Sequence, residues 1–288
     1  MRLRSLAVLL LTASVGFAQS KAPKLPEGTT IEKDLAYGTH ERNKLDIAVP
    51  KGDGPFPLLI WIHGGGWEAG DKAGFGAFAS QVARGYAVAT INYRFSKHAV
   101  FPAQIHDAKA AVRYLRANAK KYNFDPEKFG VGGGSAGGHL SALLGTSGGV
   151  KELEGDDNAK PDASRVQAVF DLFGPTDLSK LSPAGAPANA VTRLLGGDTG
   201  MKKLLAEAGT PQTYITKDDP PFLIAHGDQD KLVPLKQSQE LHEALKAAGV
   251  ESELIVAKGA GHGPGVGTPA NILKMMAFLD KHLKPAKK

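Results

Sequence analysis

From residue 58 onward, continuous apolar runs alternate with amphipathic stretches. The apolar runs lack the regular polar alternation of a half-exposed strand, which indicates strands of a parallel sheet covered on both faces. These runs are residues 58–62, 87–91, 129–132, 166–173, 222–225 and 253–257. Helical periodicity is present in residues 75–84, 103–122, 136–144, 235–248 and 270–282. The alternation predicts an α/β fold with a doubly wound sheet.

Two segments depart from this alternation. Residues 31–49 have the pattern of two short strands around a polar turn, which predicts an antiparallel hairpin at the sheet edge. Residues 174–220 are rich in Pro, Gly and Ala and contain only two short helical pieces, at 190–195 and 201–208. A connection of this length is more often a lid or cap than a plain loop. We therefore expect one domain with a mostly parallel eight-stranded sheet and a small inserted cap.

The first residues have the pattern of a secretory signal peptide. Arg2 and Arg4 precede an apolar run at 6–15, and small residues then occupy the two positions that a signal peptidase reads, ending at Ala18. This pattern predicts cleavage near Ala18 and export to the periplasm or the extracellular space. Because the run is shorter than the roughly 20 residues of a membrane-spanning helix, no membrane anchor is expected. The predicted domain then begins at residue 19 and extends to residue 288.

The charge distribution argues against a nucleic-acid partner. The chain has 35 Lys and Arg against 29 Asp and Glu, a formal net charge of +6, but the basic residues are scattered and not interleaved with aromatic ones. We interpret them as a solvated surface. The chain contains no Cys, which excludes disulfides and metal sites built from thiolates.

The run at 129–132 leads into the sequence GGSAGG and a helix, so Ser135 occupies a G-x-S-x-G nucleophile elbow. Small neighbours allow the strand and the helix to approach closely around a strained serine backbone. A glycine-rich turn with an incidental serine is one alternative. Another is the dinucleotide fingerprint G-x-G-x-x-G formed by Gly132, Gly134 and Gly137, which the absence of a following apolar strand ending in an acid disfavours.

The first long strand ends in the sequence HGGGW, residues 63–67. Backbone amides without side chains, placed just past the end of a strand, can donate to a developing oxyanion. The amide of Ala136, the residue after the serine, would be a further donor in such a site. A purely structural glycine loop is the alternative. Trp67 is expected either to shape a substrate pocket or to have a structural role.

A nucleophilic serine needs a histidine base and an orienting acid, in the chain order Ser, acid, His. His262 lies in the loop GAGHG directly after the last strand, where it can turn towards the serine. We interpret the other eight histidines as structural or solvated: His40, His63, His98, His106, His139, His226, His242 and His282. For the acid, the loop HGDQDKLVP after residues 222–225 favours Asp230, with Asp228 and Asp171 as alternatives.

Together these residues resemble the α/β-hydrolase superfamily, and within it the esterases and lipases with an HGGG oxyanion loop, particularly the bacterial feruloyl and acetylxylan esterase-like branch. The resemblance extends from residue 45 to residue 262 and includes the sequences GDK, NYR and FP after the HGGGW motif. It implies an oxyanion hole formed by Gly65, Gly66 and Ala136. It also implies that Asp230, in the pattern G-x-x-D-x-x-V-P, is the catalytic acid.

Two motifs depart from the hormone-sensitive lipase group. The elbow has Gly-Gly-Ser where that group commonly has Gly-Asp-Ser, and the acid motif is more similar to dienelactone hydrolases and prolyl oligopeptidase catalytic domains. The resemblance implies an acyl-enzyme on Ser135 and no metal or organic cofactor. The expected substrate is a small-molecule or polysaccharide-linked ester with a short acyl or hydroxycinnamoyl group. The alternatives are a peptidase or amidase on the same fold and a noncatalytic binding module.

Overall fold

The computed structural model describes residues 24–155, 160, 162–181, 186–197, 200 and 202–284. The predicted signal peptide, residues 1–18, lies outside the described residues. None of the described helices has both the length and the apolar composition needed to cross a membrane.

The described residues form one eight-stranded sheet, as the sequence predicts. The strands are β1 (Thr30–Ala36), β2 (Lys44–Val49), β3 (Phe56–Ile62), β4 (Ala87–Ile91), β5 (Phe124–Gly134), β6 (Ala168–Leu172), β7 (Phe222–Gly227) and β8 (Ser252–Ala257). Their order in the sheet is β1-β2-β4-β3-β5-β6-β7-β8. β1 and β2 form the predicted antiparallel edge hairpin, β2 is antiparallel to β4, and the remaining pairs are parallel.

Helices cover both faces of this sheet. The α-helices are α1 (Ala103–Ala117), α2 (Ala136–Thr146), α3 (Lys151–Glu154), α4 (Ala186–Leu195), α5 (Lys203–Ala208), α6 (Lys236–Ala247) and α7 (Pro269–Leu283). In β3, Leu58 and Ile60 belong to the apolar cluster that includes residues of α1, α2 and α6, whereas Leu59 belongs to the cluster with Phe278 of α7. Burial on both faces explains why the strand sequences are continuously apolar.

The segment predicted as an amphipathic helix at 75–84 is a 3₁₀ helix, Ala73–Arg84. Phe75 and Gly76 have φ of 60° and 55°, in the left-handed region, so the right-handed helical backbone is interrupted near the start of the segment. A side chain at position 76 would overlap the indole of Trp61, so the chain passes very close to β3 there. Phe78 and Val82 are nevertheless buried against the sheet, as the apolar periodicity predicts.

The described part of the segment 174–220 contains α4, α5 and two short 3₁₀ helices, Leu178–Lys180 and Pro211–Tyr214. Val191, Leu194 and Ala206 are buried in the same apolar cluster as residues of α1 and α2. The segment is therefore anchored in the core on the side of the sheet that carries α2.

Candidate active site

Ser135 lies at the sharp turn between β5 and α2, with φ 56° and ψ −122°. This left-handed backbone is sparsely populated by residues other than Gly and is a source of strain. The turn is so tight that a side chain at position 137, which is glycine, would overlap the carbonyl oxygen of Ile62. The Ser135 N–H donates to the carbonyl of Leu172 at 2.9 Å, which ties the elbow to the end of β6. The hydroxyl is thus held at the carboxyl edge of the sheet.

The structure brings His262 to this hydroxyl. The Nε2 atom of His262 lies 2.9 Å from Ser135 Oγ, and its Nδ1 atom lies 2.7 Å from Asp230 Oδ2. Phe173 packs edge-on against the imidazole, with ring centroids 4.8 Å apart. Three residues from separate loops, after β5, β7 and β8, therefore form one chain of hydrogen bonds, in the arrangement of a nucleophile, a base and an orienting acid.

Asp230 accepts hydrogen bonds on both oxygens of its fully buried carboxylate. Oδ1 accepts from the main-chain N–H groups of Leu232 at 2.8 Å and Val233 at 2.9 Å. Oδ2 faces His262 and also His226, whose Nε2 atom is 3.1 Å away. Burial disfavours the ionised form, but hydrogen bonds from His226, His262 and Val233 outweigh it and hold the pKa of Asp230 well below its usual range. Asp230 is therefore an anion throughout the neutral range.

The two alternative acids have other partners in the described structure. Asp228 is exposed, and its Oδ1 accepts from the N–H of Gly259 at 2.7 Å. Asp171 is completely buried, and its Oδ1 accepts from the N–H of Gly174 at 2.9 Å. Its Oδ2 has no hydrogen-bond partner among the described residues. Burial raises the pKa of Asp171 to about 6, against an ordinary value of 3.8.

Asp171→Asn is expected to change how stability depends on pH. The native carboxyl contributes stability below its unfolded pKa of 3.8, and this contribution is lost as the pH rises through about 6. Between pH 4 and pH 7 the wild-type free energy of unfolding should therefore fall by about 2 kcal/mol relative to the variant. Urea unfolding at several pH values measures this difference. Asp228→Asn, at an exposed carboxylate, is the control, and a difference that does not change with pH would contradict the prediction.

The loop after β3 presents free backbone amides beside Ser135. Gly65 and Gly66 have φ of 108° and 61°, and among the described residues no hydrogen-bond partner is found for their N–H groups. Ala136 is the first residue of α2, so its N–H has no carbonyl one turn earlier to bind. These three residues and Ser135 line a cavity of about 200 Å³. Its apolar wall consists of Pro175, Leu181, Ala190, Leu232 and Val233.

The loop after β3 that contains Gly64, Gly65 and Gly66, here called the glycine loop, is held in place by His63. The His63 ring stacks on Tyr93 with centroids 4.5 Å apart, and its Nδ1 lies 2.8 Å from the carbonyl oxygen of Gly64. The Tyr93 hydroxyl donates to the His63 carbonyl at 3.1 Å. Burial, reinforced by the charge of Arg42, lowers the pKa of His63 to about 4, although the Gly64 carbonyl opposes this. These contacts give a structural role to the His of HGGG and to the Tyr of NYR.

A buried lysine holds the far end of the same loop. The Lys72 N–H donates to Asn92 Oδ1 at 2.7 Å, and its Nζ forms ion pairs with Asp46 at 2.6 Å and Asp34 at 2.8 Å. Asn92 in turn donates to Asp71 Oδ2 at 2.9 Å. The GDK and NYR sequences therefore fix where the loop ends.

Two features of the site were not expected from the sequence. His226 was interpreted as structural or solvated, yet it lies within hydrogen-bond distance of Asp230; the four-residue spacing within HGDQD is the signal that could have indicated this. Glu68, which lines the cavity, forms a two-bond ion pair with Arg193 of α4, in which Nη2 donates to Oε1 at 2.7 Å. No sequence signal joins these two residues, which lie 125 positions apart.

Trp67 combines both roles that the sequence left open. Its side chain lines the cavity, but the residue is only 2% exposed. The indole N–H donates to His139 Nδ1 at 3.2 Å. It is therefore a fixed part of the cavity wall.

Comparison with known proteins places this chain in a known family. The sequence profile of the family BD-FAE matches residues 45–245. The esterase LipC of Mycobacterium tuberculosis is 32% identical over 237 residues, which are 80% of this chain and 59% of LipC. The isoprenylcysteine alpha-carbonyl methylesterase ICME of Arabidopsis thaliana is 27% identical, over 81% of this chain and 56% of that protein. The chain thus spans little more than half the length of these curated relatives.

Solved structures are similar over most of the chain. A truncated carbohydrate esterase from gut microbiota superposes with a TM-score of 0.80 at 36% identity, covering 88% of this chain and 95% of that one. A bifunctional GH43-CE protein of Bacteroides eggerthii gives a TM-score of 0.80 at 38% identity, covering 87% of this chain and 35% of that one.

Proposed function

Because this chain belongs to the BD-FAE family of α/β-hydrolases, we propose that it is an exported serine esterase that removes short acyl groups, acetyl foremost, from carbohydrate esters. The hydrogen-bond chain from Ser135 through His262 to Asp230, beside an amide-lined cavity, is the observation that carries the proposal. The broad class, a carboxylic ester hydrolase, agrees with the names of the relatives.

The proposed reaction begins with acylation. Ser135 Oγ attacks the ester carbonyl carbon while His262 Nε2 takes its proton, and the carbonyl π electrons move to the oxygen. The amides of Gly65, Gly66 and Ala136 stabilise this oxyanion. The bond to the alcohol oxygen then breaks, and the leaving alcohol receives the proton from His262. Water then attacks the acyl carbon while His262 Nε2 takes one of its protons, the bond between the acyl carbon and Ser135 Oγ breaks, and His262 returns the proton to Oγ as the acid is released.

Asp230 acts on the base and not on the substrate. By accepting the Nδ1–H of His262 at 2.7 Å, it leaves the Nε2 lone pair directed at Ser135. Its anionic charge stabilises the imidazolium that forms in each step, without taking up the proton itself.

The cavity supports a short acyl group. Its volume of about 200 Å³ lies below the roughly 300 to 1,000 Å³ typical of sites for larger organic ligands. Leu181, Ala190 and Val233 make its wall apolar, whereas Glu68, paired with Arg193, is its charged boundary. We assign the acyl group to the apolar wall and the sugar hydroxyls to the charged boundary. The similarity to a carbohydrate esterase supports a sugar as the alcohol part of the ester.

Initial hydrolysis rates on 4-nitrophenyl acetate, butyrate and octanoate, methyl ferulate and acetylated xylan test the proposal. We expect kcat/KM to fall from acetate to octanoate, slow turnover of methyl ferulate, and release of acetate from xylan. Faster turnover of ferulate than of acetate would overturn the acyl assignment. The absence of hydrolysis of all five substrates would overturn the esterase function.

Gly65→Ala is expected to lower kcat for 4-nitrophenyl acetate by about 10²- to 10³-fold, the effect of losing one oxyanion donor. Gly65 has φ 108°, and an added methyl group would overlap the carbonyl oxygen of Ala69, so the loop must shift. Gly267→Ala is the matched control, since a methyl group there contacts nothing within 4 Å. A Gly65→Ala enzyme as active as the control would show that this amide does not stabilise the transition state.

Export is proposed from the pattern of residues 1–18. We expect the protein recovered outside the cytoplasm to begin at Gln19, as measured by N-terminal sequencing. Recovery of the intact chain from the cytoplasm alone would contradict the proposal.

A further inference from the structure

His139 lies one helical turn after Ser135 on α2, and its side chain is completely buried. Its main-chain N–H donates to the carbonyl of Ser135 at 3.0 Å. Its imidazole lies between two other parts of the protein. The Trp67 indole N–H donates to Nδ1 at 3.2 Å, and Nε2 lies 2.6 Å from the carbonyl oxygen of Gly209. One residue therefore joins the nucleophile helix, the glycine loop and the segment 174–220.

The two partners determine a single tautomer of His139. The indole of Trp67 can only donate, so Nδ1 must carry the lone pair, and the carbonyl of Gly209 can only accept, so Nε2 must carry the hydrogen. Burial lowers the pKa of His139 to about 4, against the weaker opposing effect of the Gly209 carbonyl. At neutral pH the ring is therefore uncharged and both bonds are made.

Trp67 is one of the residues that hold the glycine loop in position, together with His63 and Lys72. Gly65, Gly66 and Trp67 all have positive φ, and glycines by themselves do not hold such a path. The Trp67 ring stands edge-on to His139, with centroids 5.2 Å apart and an interplanar angle of 89°. The main-chain carbonyl of Trp67 accepts from the N–H of Ser96 at 2.8 Å. The bond to His139 thus connects the end of the amide-bearing loop directly to the helix of Ser135.

We propose that His139 is a positioning residue, which holds Trp67 so that the amides of Gly65 and Gly66 remain aimed at the oxyanion formed on Ser135. The proposal rests on the proposed function in that those amides must serve a developing oxyanion. A displacement of about 1 Å in such a site costs on the order of 10²-fold in rate. Loss of the Trp67–His139 bond should therefore affect the reaction more than ground-state binding.

Four variants separate the two bonds of His139. Trp67→Phe removes the indole donor and keeps an aromatic ring. His139→Gln places an amide nitrogen towards Gly209 and removes the acceptor for Trp67, whereas His139→Asn places an amide oxygen near the position of Nδ1 and keeps that acceptor. His106→Gln is the control, because among the described residues the one hydrogen bond found for the His106 ring is to the carbonyl of Glu152.

The measurement is the rate at which a 4-nitrophenyl alkylphosphonate phosphonylates Ser135, followed by release of 4-nitrophenolate and by intact mass. Ser135 Oγ displaces 4-nitrophenolate at phosphorus, and the phosphoryl oxygen occupies the proposed oxyanion position. We expect Trp67→Phe and His139→Gln each to slow this reaction by about 10- to 100-fold, with kcat for ester falling in parallel and KM little changed. His139→Asn should react faster than His139→Gln.

The double variant Trp67→Phe/His139→Gln should be no slower than the slower single variant, because both changes remove one bond. Multiplicative losses, or wild-type rates in Trp67→Phe and His139→Gln, would overturn the inference and leave His139 a core residue. If the wild type is phosphonylated and the variants react in the expected order of rates, but the wild type hydrolyses no ester, only the proposed function fails. If wild type is not phosphonylated, both fail.

Discussion

Ser135→Ala is expected to lower kcat for 4-nitrophenyl acetate by about 10⁴- to 10⁶-fold, because it removes the atom that forms the acyl-enzyme. The remaining rate would come from the oxyanion amides and from substrate binding. The backbone of the elbow is unchanged by this substitution, and the Ser135 N–H bond to Leu172 is retained. We therefore expect the thermal midpoint and the KM to stay near the wild-type values.

Ser141→Ala is the matched control for this measurement. Ser141 lies on the same helix, and its buried hydroxyl donates to the carbonyl of Gly137 at 2.8 Å, away from His262. Steady-state kinetics should give a control close to wild type. Incorporation of one phosphonate per chain in the control, and none in Ser135→Ala, would identify the nucleophile. A Ser135→Ala enzyme that kept more than about one hundredth of wild-type kcat would exclude the acyl-enzyme mechanism.

The sequence was sufficient to predict the sheet and the assembly of Ser135, Asp230 and His262. Each of the three residues follows an apolar run of the sequence. Because parallel strands have their carboxyl ends at one edge of the sheet, residues that follow such runs are expected to lie close together. The strand boundaries were less well predicted, because the pairing continues into residues that are not apolar. β5, for instance, begins at Phe124, five residues before its apolar run.

Contacts between residues with ordinary local sequences were not predictable. The bridge made by His139 depends on Gly209, which lies 70 positions away in a segment without periodicity. The pair formed by Glu68 and Arg193 depends on how α4 packs. In the 3₁₀ helix Ala73–Arg84, the apolar spacing correctly indicated that Phe78 and Val82 are buried, but it gave no sign of the left-handed backbone at Gly76, where the chain passes close to Trp61.

Asp230→Asn is expected to lower kcat by about 10³- to 10⁴-fold, close to the effect of the same change in other Ser-His-Asp sites. Both carboxylate oxygens face donors: Oδ1 faces the N–H groups of Leu232 and Val233, and Oδ2 faces His262 and His226. An amide has only one acceptor oxygen, so one pair of donors must face an NH₂ group. If that pair is the histidines, the tautomer of His262 with its Nε2 lone pair towards Ser135 is lost.

The three carboxylates at this edge make the experiment selective. Two variants are controls. Asp228→Asn changes an exposed carboxylate two residues from Asp230, and Asp171→Asn changes a buried carboxyl that does not bond to His262. Kinetics on 4-nitrophenyl acetate should therefore show a large loss of kcat in Asp230→Asn alone. Near-wild-type kcat in Asp230→Asn, with a large loss in Asp171→Asn, would mean that the buried carboxyl of β6 is the functional acid. The hydrogen bond seen to His262 would then be structural.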